Sequence, residues 1–323
     1  MSDVMQIIDR QHRRLLAADK RVLAQLVQGW QTVERGLRSQ VNLLASVGAT
    51  LKGKPPSLSQ LQQMKRYNDL MKQVREQIAT YSLTATQLTK AAQKGAISGA
   101  DADARQVLQL YGVGTAFNKI SVDAVNAAIG LTAQGAPLYR LFKRTWALSA
   151  DAMSEAFLTG VAGGWSTTKI AKELNKSTLS SLQRMLTIAR TETLRVYRIA
   201  SIKSYQASGV VHQQRRLAAK SIRTCMACLA DDGTLYPISS PIPDHPNGRC
   251  TGVPVIDGRP TPRFTQGKVW FEKQSDDTQQ GMMGRVFWEA WKKGFFTLDD
   301  LITRTYHPTW GAGIQVTPLG ELI

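Results

Sequence analysis

Apolar residues recur every seven positions near the start of the chain. Leu16, Leu23, Trp30, Leu37 and Leu44 form the series, and Leu26, Val33 and Val47 fill the seam between them. This spacing of a and d positions predicts one long helix over 5–47. Asp19 and Gln40 interrupt the d series, so the seam is imperfect. Gly48 fits a helix stop, Lys52-Gly53-Lys54-Pro55-Pro56 a turn, and Ser57 or Ser59 a cap for the next helix. Tyr67, Leu70, Val74, Ile78, Tyr81, Ala85, Leu88 and Ala92 then step by three and four. Two arms of ~40 residues, on the order of 60 Å long, are expected to lie antiparallel as a helical hairpin. Its apolar stripes serve either the packing of one arm on the other or self-association and docking on a partner.

Further along, a Gly/Ala/Ser/Asp stretch from Gly95 to Asp103 reads as a hinge, and helical patterning resumes over Ala104 to Leu148. Ser149 or Asp151 fits the cap of a helix ending near Gly160, and a short helix starts at Ser166. Another runs from about Thr178 to Ser208 and stops at Gly209. The texture then changes. Val210 to Leu217, Thr234 to Ile238 and Thr251 to Ile256 are short runs of β character between Asp, Gly and Pro turns. Asp257 to Pro262 reads as a linker, and helix returns over 264–304, with Gly294 as a stop and Thr297-Leu298-Asp299-Asp300 as a capping box. The expected fold is mainly α with a smaller α+β part. Its segments are a long basic hairpin (1–95), a helical region (96–209), a β-rich knuckle (210–262) and a C-terminal helical tail (263–323).

Charge divides the chain unevenly. Residues 1–150 hold 20 basic and 9 acidic side chains, residues 151–220 hold 11 and 4, and residues 221–323 hold 10 and 11. The whole excess of the +17 chain therefore lies in its first 220 residues. A basic part that meets a polyanion and a neutral part with another task is the expectation, beside the plainer reading of a solvated basic surface. Double-stranded DNA bound through 1–220 without sequence preference fits the first reading. Aromatics are sparse there, which argues against base stacking on single strands. No stretch resembles a secretory signal or a membrane span: the apolar run Ala124 to Tyr139 is broken by Asn126, Gly130, Gln134, Gly135 and Pro137.

All three cysteines fall within 26 residues, as Cys225-x2-Cys228 followed by His245-x4-Cys250. A CxxC knuckle brings two thiolates to one edge of a tetrahedron, and the His/Cys pair can supply the other. Four protein ligands leave no open position, so a structural zinc that folds a region with little core of its own is expected, with Cys225, Cys228, His245 and Cys250 as ligands. Three alternatives stand beside it. The cysteines are free buried thiols with His245 a loop residue; the CxxC is a redox pair, although no βαβ pattern surrounds it; or the site is a metal nuclease. Treble-clef nucleases place His and Asn beside a zinc knuckle, as His245-Pro246-Asn247 does here, and His212 is the one nearby candidate for their second histidine. No phosphate-loop, Gly-x-Ser-x-Gly or His-Glu-x-x-His pattern occurs. Glu192 and Arg195 at i,i+3 read as an ion pair, with an acid role in ADP-ribosyl transfer as a remote option.

These residues carry a resemblance. Ile188-Ala189-Arg190-Thr191-Glu192-Thr193, Thr224-Cys225-Met226-Ala227-Cys228 with Asp232-Gly233, and His245-Pro246-Asn247-Gly248-Arg249-Cys250 with Pro254 resemble the motifs of the phage Mu F-like minor head proteins, also called phage head morphogenesis proteins. Trp270-Phe271, Gln279 to Gly284, Trp291, Gly294 and Leu298 are similar to the tail that follows, so the resemblance spans about 150–304. Gly248 stands where the family usually has a cysteine, and Cys250 remains to fill that place. Gln213-Gln214 and Lys220-Ser221 stand where the family often shows a Trp and an Asp.

The resemblance implies a minor capsid protein of a tailed phage or prophage that contacts the portal, and scaffold or capsid protein, during procapsid assembly. Its place would be the capsid interior or portal vertex of the virion, after assembly in the host cytoplasm. A nuclease or other effector delivered with the genome is the alternative.

Overall fold

A computed structural model describes the chain outside residues 1–2, 51–64, 115–126, 133–134 and 164. Four long helices come first: α1 (Asp3–Thr50), α2 (Lys65–Leu110), α3 (Leu138–Ala162) and α4 (Thr167–Ala207). A finer-grained region follows, with β1 (Val211–Leu217), α5 (Met226–Ala230), β2 (Leu235–Pro237), β3 (Thr251–Ile256), α6 (Gly267–Glu272), α7 (Asp276–Met283), α8 (Arg285–Lys292), β4 (Thr303–His307) and β5 (Gly311–Gln315). The fold is mainly α with a smaller α+β part, as the periodicities predict. The turn expected at Lys52–Pro56 and the caps at Ser57 and Ser59 lie outside the described residues.

The chain forms two compact units, each assembled from separated segments. One comprises Lys20–Ala91 and Ala136–Arg190; the other comprises Met1–Asp19, Ala92–Gly135 and Thr191–Ile323. Among its described residues the first is almost wholly helical. Leu26, Trp30 and Leu37 of α1 are buried, and so are Tyr67, Met71, Val74, Ile78, Tyr81 and Ala85 of α2. The two stripes meet: Trp30 and Tyr81 have ring centroids 5.5 Å apart, and the Tyr81 hydroxyl donates to the Leu26 carbonyl. Leu26, Trp30 and Leu37 of the heptad seam are thus spent on intramolecular packing, while the side chains of Leu44 and Val47 lie outside the described residues. Tyr67 stacks on Phe157 of α3 at 5.9 Å, bringing the third helix onto the pair.

In the other unit, the stretch expected as a hinge is continuous helix. Ala96, Ile97 and Ala100 of α2 pack on Val196, Tyr197 and Ala200 of α4. The small side chains admit a close helix–helix approach. The acids of the stretch fasten it: Asp101 accepts from Ser204 at 2.6 Å and pairs with Arg105 at 3.0 Å, while Asp103 accepts from Tyr197 at 2.8 Å and pairs with Arg14. A composition that reads as flexible is therefore a contact surface. Similarly, α3 runs unbroken across Ser149 and Asp151, where a new cap was expected.

The three β runs expected between 210 and 256 form one antiparallel sheet with β1 in the middle, flanked by β2 and β3. Arg216 pairs with Gly252 and Gln214 with Pro254, and a bulge separates Val211 from Gln213. The helical tail expected over 263–323 needs correction. Its three short helices and the Thr297–Asp300 capping box are present, with the Thr297 N–H donating to Asp300 at 2.7 Å. Beyond them the chain is a β-hairpin, β4–β5, with Thr303 opposite Gln315 and His307 opposite Gly311. The signal was there in Thr303-Arg304-Thr305-Tyr306-His307, whose β-branched and aromatic residues favour a strand. Leu229, Phe271, Leu301 and Ile314 are fully buried together in a core that backs α5 onto the hairpin and the tail helices.

Candidate metal centre

Local structure brings the cysteines and the histidine together. Cys225 caps α5, its Sγ accepting the Cys228 N–H at 3.3 Å, so the CxxC turn is closed by an N–H···S bond. Asp231 and Asp232 follow α5 and are both committed. Asp232 accepts the Ala218 N–H at 2.6 Å and pairs with Lys220 at 2.9 Å, and Asp231 accepts the Tyr236 hydroxyl at 2.6 Å. Gly233 then turns the chain at φ +93°, a region that favours glycine. The second half of the site is the loop 244–250. Asn247 takes φ +68°, Gly248 donates to the His245 carbonyl at 2.9 Å, and the loop is thereby folded back on itself.

The histidine faces the knuckle through one nitrogen. His245 Nε2 lies 3.2 Å from the sulfurs of both Cys225 and Cys228, while Nδ1 donates to the Pro246 carbonyl at 2.8 Å. That second contact fixes the ring and leaves Nε2 as the donor toward an ion. The donor atoms of Cys225, Cys228 and His245 lie within 4.8 Å of one another, and so do those of Cys228, Asp244 and Cys250. Cys228 is common to both groups. An N···S edge of a tetrahedral site spans ~3.6 Å for ordinary metal–ligand bond lengths, so the edges at His245 need to open only slightly. The thiol and imidazole donors suit a borderline-soft divalent ion, and the Cys225/Cys228/His245/Cys250 cluster can hold one.

Electrostatics in the cluster are coupled. Burial works against a charged His245, but Cys228, Asp244 and the Pro246 carbonyl outweigh it and raise the imidazole to about 9. The bond to Cys228 and its backbone N–H hold Cys225 below the ordinary thiol range. Cys250 is pushed well above it, by its bond to Cys228 and by complete burial.

Asp244, Arg198 and Arg216 position the centre and were not singled out in the sequence. Asp244 belongs to one donor group, and its carboxylate is gripped by Arg198 at 2.8 Å. Arg198 also donates to the Cys250 carbonyl at 3.0 Å, so one α4 guanidinium ties both ends of the loop. Thr191 of the Arg-Thr-Glu run accepts the Asn247 N–H at 2.8 Å. The expected Glu192–Arg195 pair is present at 2.7 Å, and Glu192 is wholly buried. Gly248 has a packing reason: a Cβ there would overlap the Asp244 carboxylate. Arg216, at the centre of the sheet, is fully buried and donates to Cys228 Sγ at 3.2 Å. Its signal was one of register only, as the inward neighbour of Gln214 on β1.

One expected partner is elsewhere. His212, weighed as a second nuclease histidine, is exposed and lies 3.5 Å from Asp257, outside both donor groups. A cleft of ≈ 400 Å³ beside His245 is walled by Thr191, Arg195, Arg198, Asp244 and Trp310, among others. Both of its arginines are already paired, with Glu192 and with Asp244.

Residues 151–253 match the family model described as Phage Mu protein F like protein. This segment is Mu F-like. It runs from within α3 to β3 and contains all four residues of the Cys/His cluster together with Thr191, Arg198, Arg216 and Asp244. The Mu F-like segment is about a third of the chain, and the match stops at Val253, short of the tail helices and the β4–β5 hairpin. No curated protein and no solved structure matches the chain.

Proposed function

We propose that this chain is a minor head protein of a tailed phage or prophage, acting in head assembly at the portal vertex or capsid interior without catalytic turnover. The observation that carries the reading is the Mu F-like match over the segment that builds the Cys/His cluster. The ion is zinc, held by Cys225, Cys228, His245 and Cys250. It supplies a structural crosslink between the CxxC turn and the 244–250 loop. The polar clamps on that loop already fix its backbone, which suits a rigid docking module. No helix among the described residues is long and apolar enough to cross a membrane.

Contact with packaged DNA is the second part of the proposal. The first 220 residues carry 31 basic against 13 acidic side chains, and exposed Lys72, Arg75 and Lys143 lie together around one groove of the helical unit. Phosphate contacts of this kind are independent of base sequence and weaken as salt rises.

Co-expression with the portal protein of the same phage tests the assembly role. The expected result is a complex that survives size exclusion and a signal for this chain in purified procapsids; free protein and empty procapsids would refute it. In DNA binding, the triple variant Lys72→Glu, Arg75→Glu, Lys143→Glu should lower affinity equally on unrelated duplexes and flatten the salt dependence. Incubation of the full chain with Mg²⁺ and DNA checks the alternative. Cleavage that disappears in His245→Ala would replace the structural reading by a nuclease.

A further inference from the structure

The least expected group in the molecule is a charged side chain with no exposed surface. Arg216 sits on the central strand of the sheet at 0% relative exposure. Burying an unpaired guanidinium is strongly unfavourable, so its partners should explain why it is there. Nη1 donates to the Pro243 carbonyl and lies 3.5 Å from Asp231. Nη2 lies 3.4 Å from Asp244 and donates to Cys228 Sγ at 3.2 Å, while Nε has no acceptor. A guanidinium placed only to neutralise carboxylates would present its fork to one of them in bidentate fashion. Here both carboxylates are held at long range, and the shorter of the two Nη2 contacts is to sulfur.

We propose that Arg216 is the outer-shell cation of the metal centre, donating to the Cys228 sulfur and offsetting the surplus charge of three thiolates on a divalent ion. Three thiolates and one neutral imidazole around a dication leave one net negative charge in a buried site. Asp244, packed against Gly248, adds another, while Arg198 answers Asp244 from the other side. Arg216 is the cation that touches the ligand atom itself. Cys228 is also the sulfur shared by the two donor groups, so the contact acts where the two halves of the site join. Asp231 and Asp244 serve as positioning residues: they aim the guanidinium at the sulfur rather than consume it. The Arg216–Gly252 register delivers the side chain to that place.

This inference rests on the metal reading above, and the test separates the two. Zinc content of the purified full chain is measured by elemental analysis, its zinc affinity by competition with a chromophoric chelator, and its sulfur-to-metal charge-transfer band after cobalt substitution. Wild type should carry about one zinc per chain. Arg216→Met, close in volume and uncharged, should bind zinc ~10–100-fold more weakly and shift the cobalt band, the size expected for loss of an outer-shell partner. Arg216→Lys should fall between the two, because it keeps the charge and loses the fork. Should Arg216→Met not fold, Asp231→Asn decides. It leaves every sulfur in place and should still weaken zinc binding severalfold. Zinc affinity unchanged in Arg216→Met, or in Asp231→Asn where that variant is the deciding one, overturns the role of Arg216 alone. A wild-type protein that binds neither zinc nor cobalt overturns the metal reading and this inference with it.

Discussion

The helical unit built around Trp30 and the sheet around Arg216 each have a large, fully buried side chain at their centre, and they are held together in opposite ways. Trp30 packs on the Tyr81 ring, and Leu26, one turn before it on α1, is equally buried. Burial there is its own reward, at about 25 cal/mol per Å² of apolar surface, and the residues involved announce themselves by helical spacing. Around Arg216 the neighbours are two carboxylates, a carbonyl and a sulfur. Nothing there gains from leaving water unless every partner is in place. Stripes tolerate exchange of one apolar residue for another; the clamp fails when any one member leaves.

The sharpest way to test that contrast is to take away what ties the clamp. Chelation of the proposed zinc, or Cys228→Ser, should abolish hydrogen-exchange protection around α5 and the 244–250 loop and lower it less in β1 and β3, whose Val211, Leu217, Val253 and Ile256 also pack on apolar helical residues such as Val107 and Leu108. In small zinc modules metal binding is worth on the order of 10 kcal/mol, more than any single core side chain. The α2 segment 74–85, in the helical unit, should keep its protection. Loss of protection in both at once would show that the two regions are one cooperative structure and that the contrast is false.

The reverse experiment is smaller. Trp30→Ala removes a side chain at 1% exposure that packs on Tyr81, and should cost about 3–5 kcal/mol by chemical denaturation. Zinc content should not change. A metal-depleted Trp30→Ala protein would mean that the stripe supports the knuckle, which its position in the separate helical unit does not suggest.

What could be read in advance follows the same division. The seam Leu26–Trp30–Leu37, the α2 stripe and the three β runs were legible, because period is a property of one segment. The clustering of the Cys/His set was legible because a CxxC turn brings its two sulfurs together and a His/Cys pair on one loop can meet them. Asp244, Arg198 and Arg216 were not, because their roles come from three elements meeting: a loop, the C-terminal half of α4 and the centre of a sheet. Two misreadings have one cause. The Gly95–Asp103 stretch reads as a hinge by composition, but its small residues make room for α4 and its acids bond across to it. Strands β4 and β5 were hidden in a tail whose preceding periodicity was helical, and Gly313, where a Cβ would lie 2.9 Å from the Asp244 carbonyl oxygen, shows that this hairpin lies against the site loop. In both cases local composition was decided by a neighbour distant in sequence.

An ordinary polar interaction next to the same core gives the scale for the clamp. Ser275 caps α7, accepting the Thr278 N–H at 3.3 Å on an exposed surface. Asp276 and Asp277 sit in the first turn, where the helix dipole favours them, so the cap is one of several supports for that end. Ser275→Ala should therefore cost only about 1 kcal/mol in denaturant midpoint analysis, with zinc affinity unchanged. If instead this variant weakened zinc binding as much as Arg216→Met, the response at Arg216 would report general loosening of the tail core through Phe271 and Met283, and the direct contact with Cys228 would lose its meaning. If zinc affinity separates the two variants, the buried guanidinium acts on the sulfur it touches.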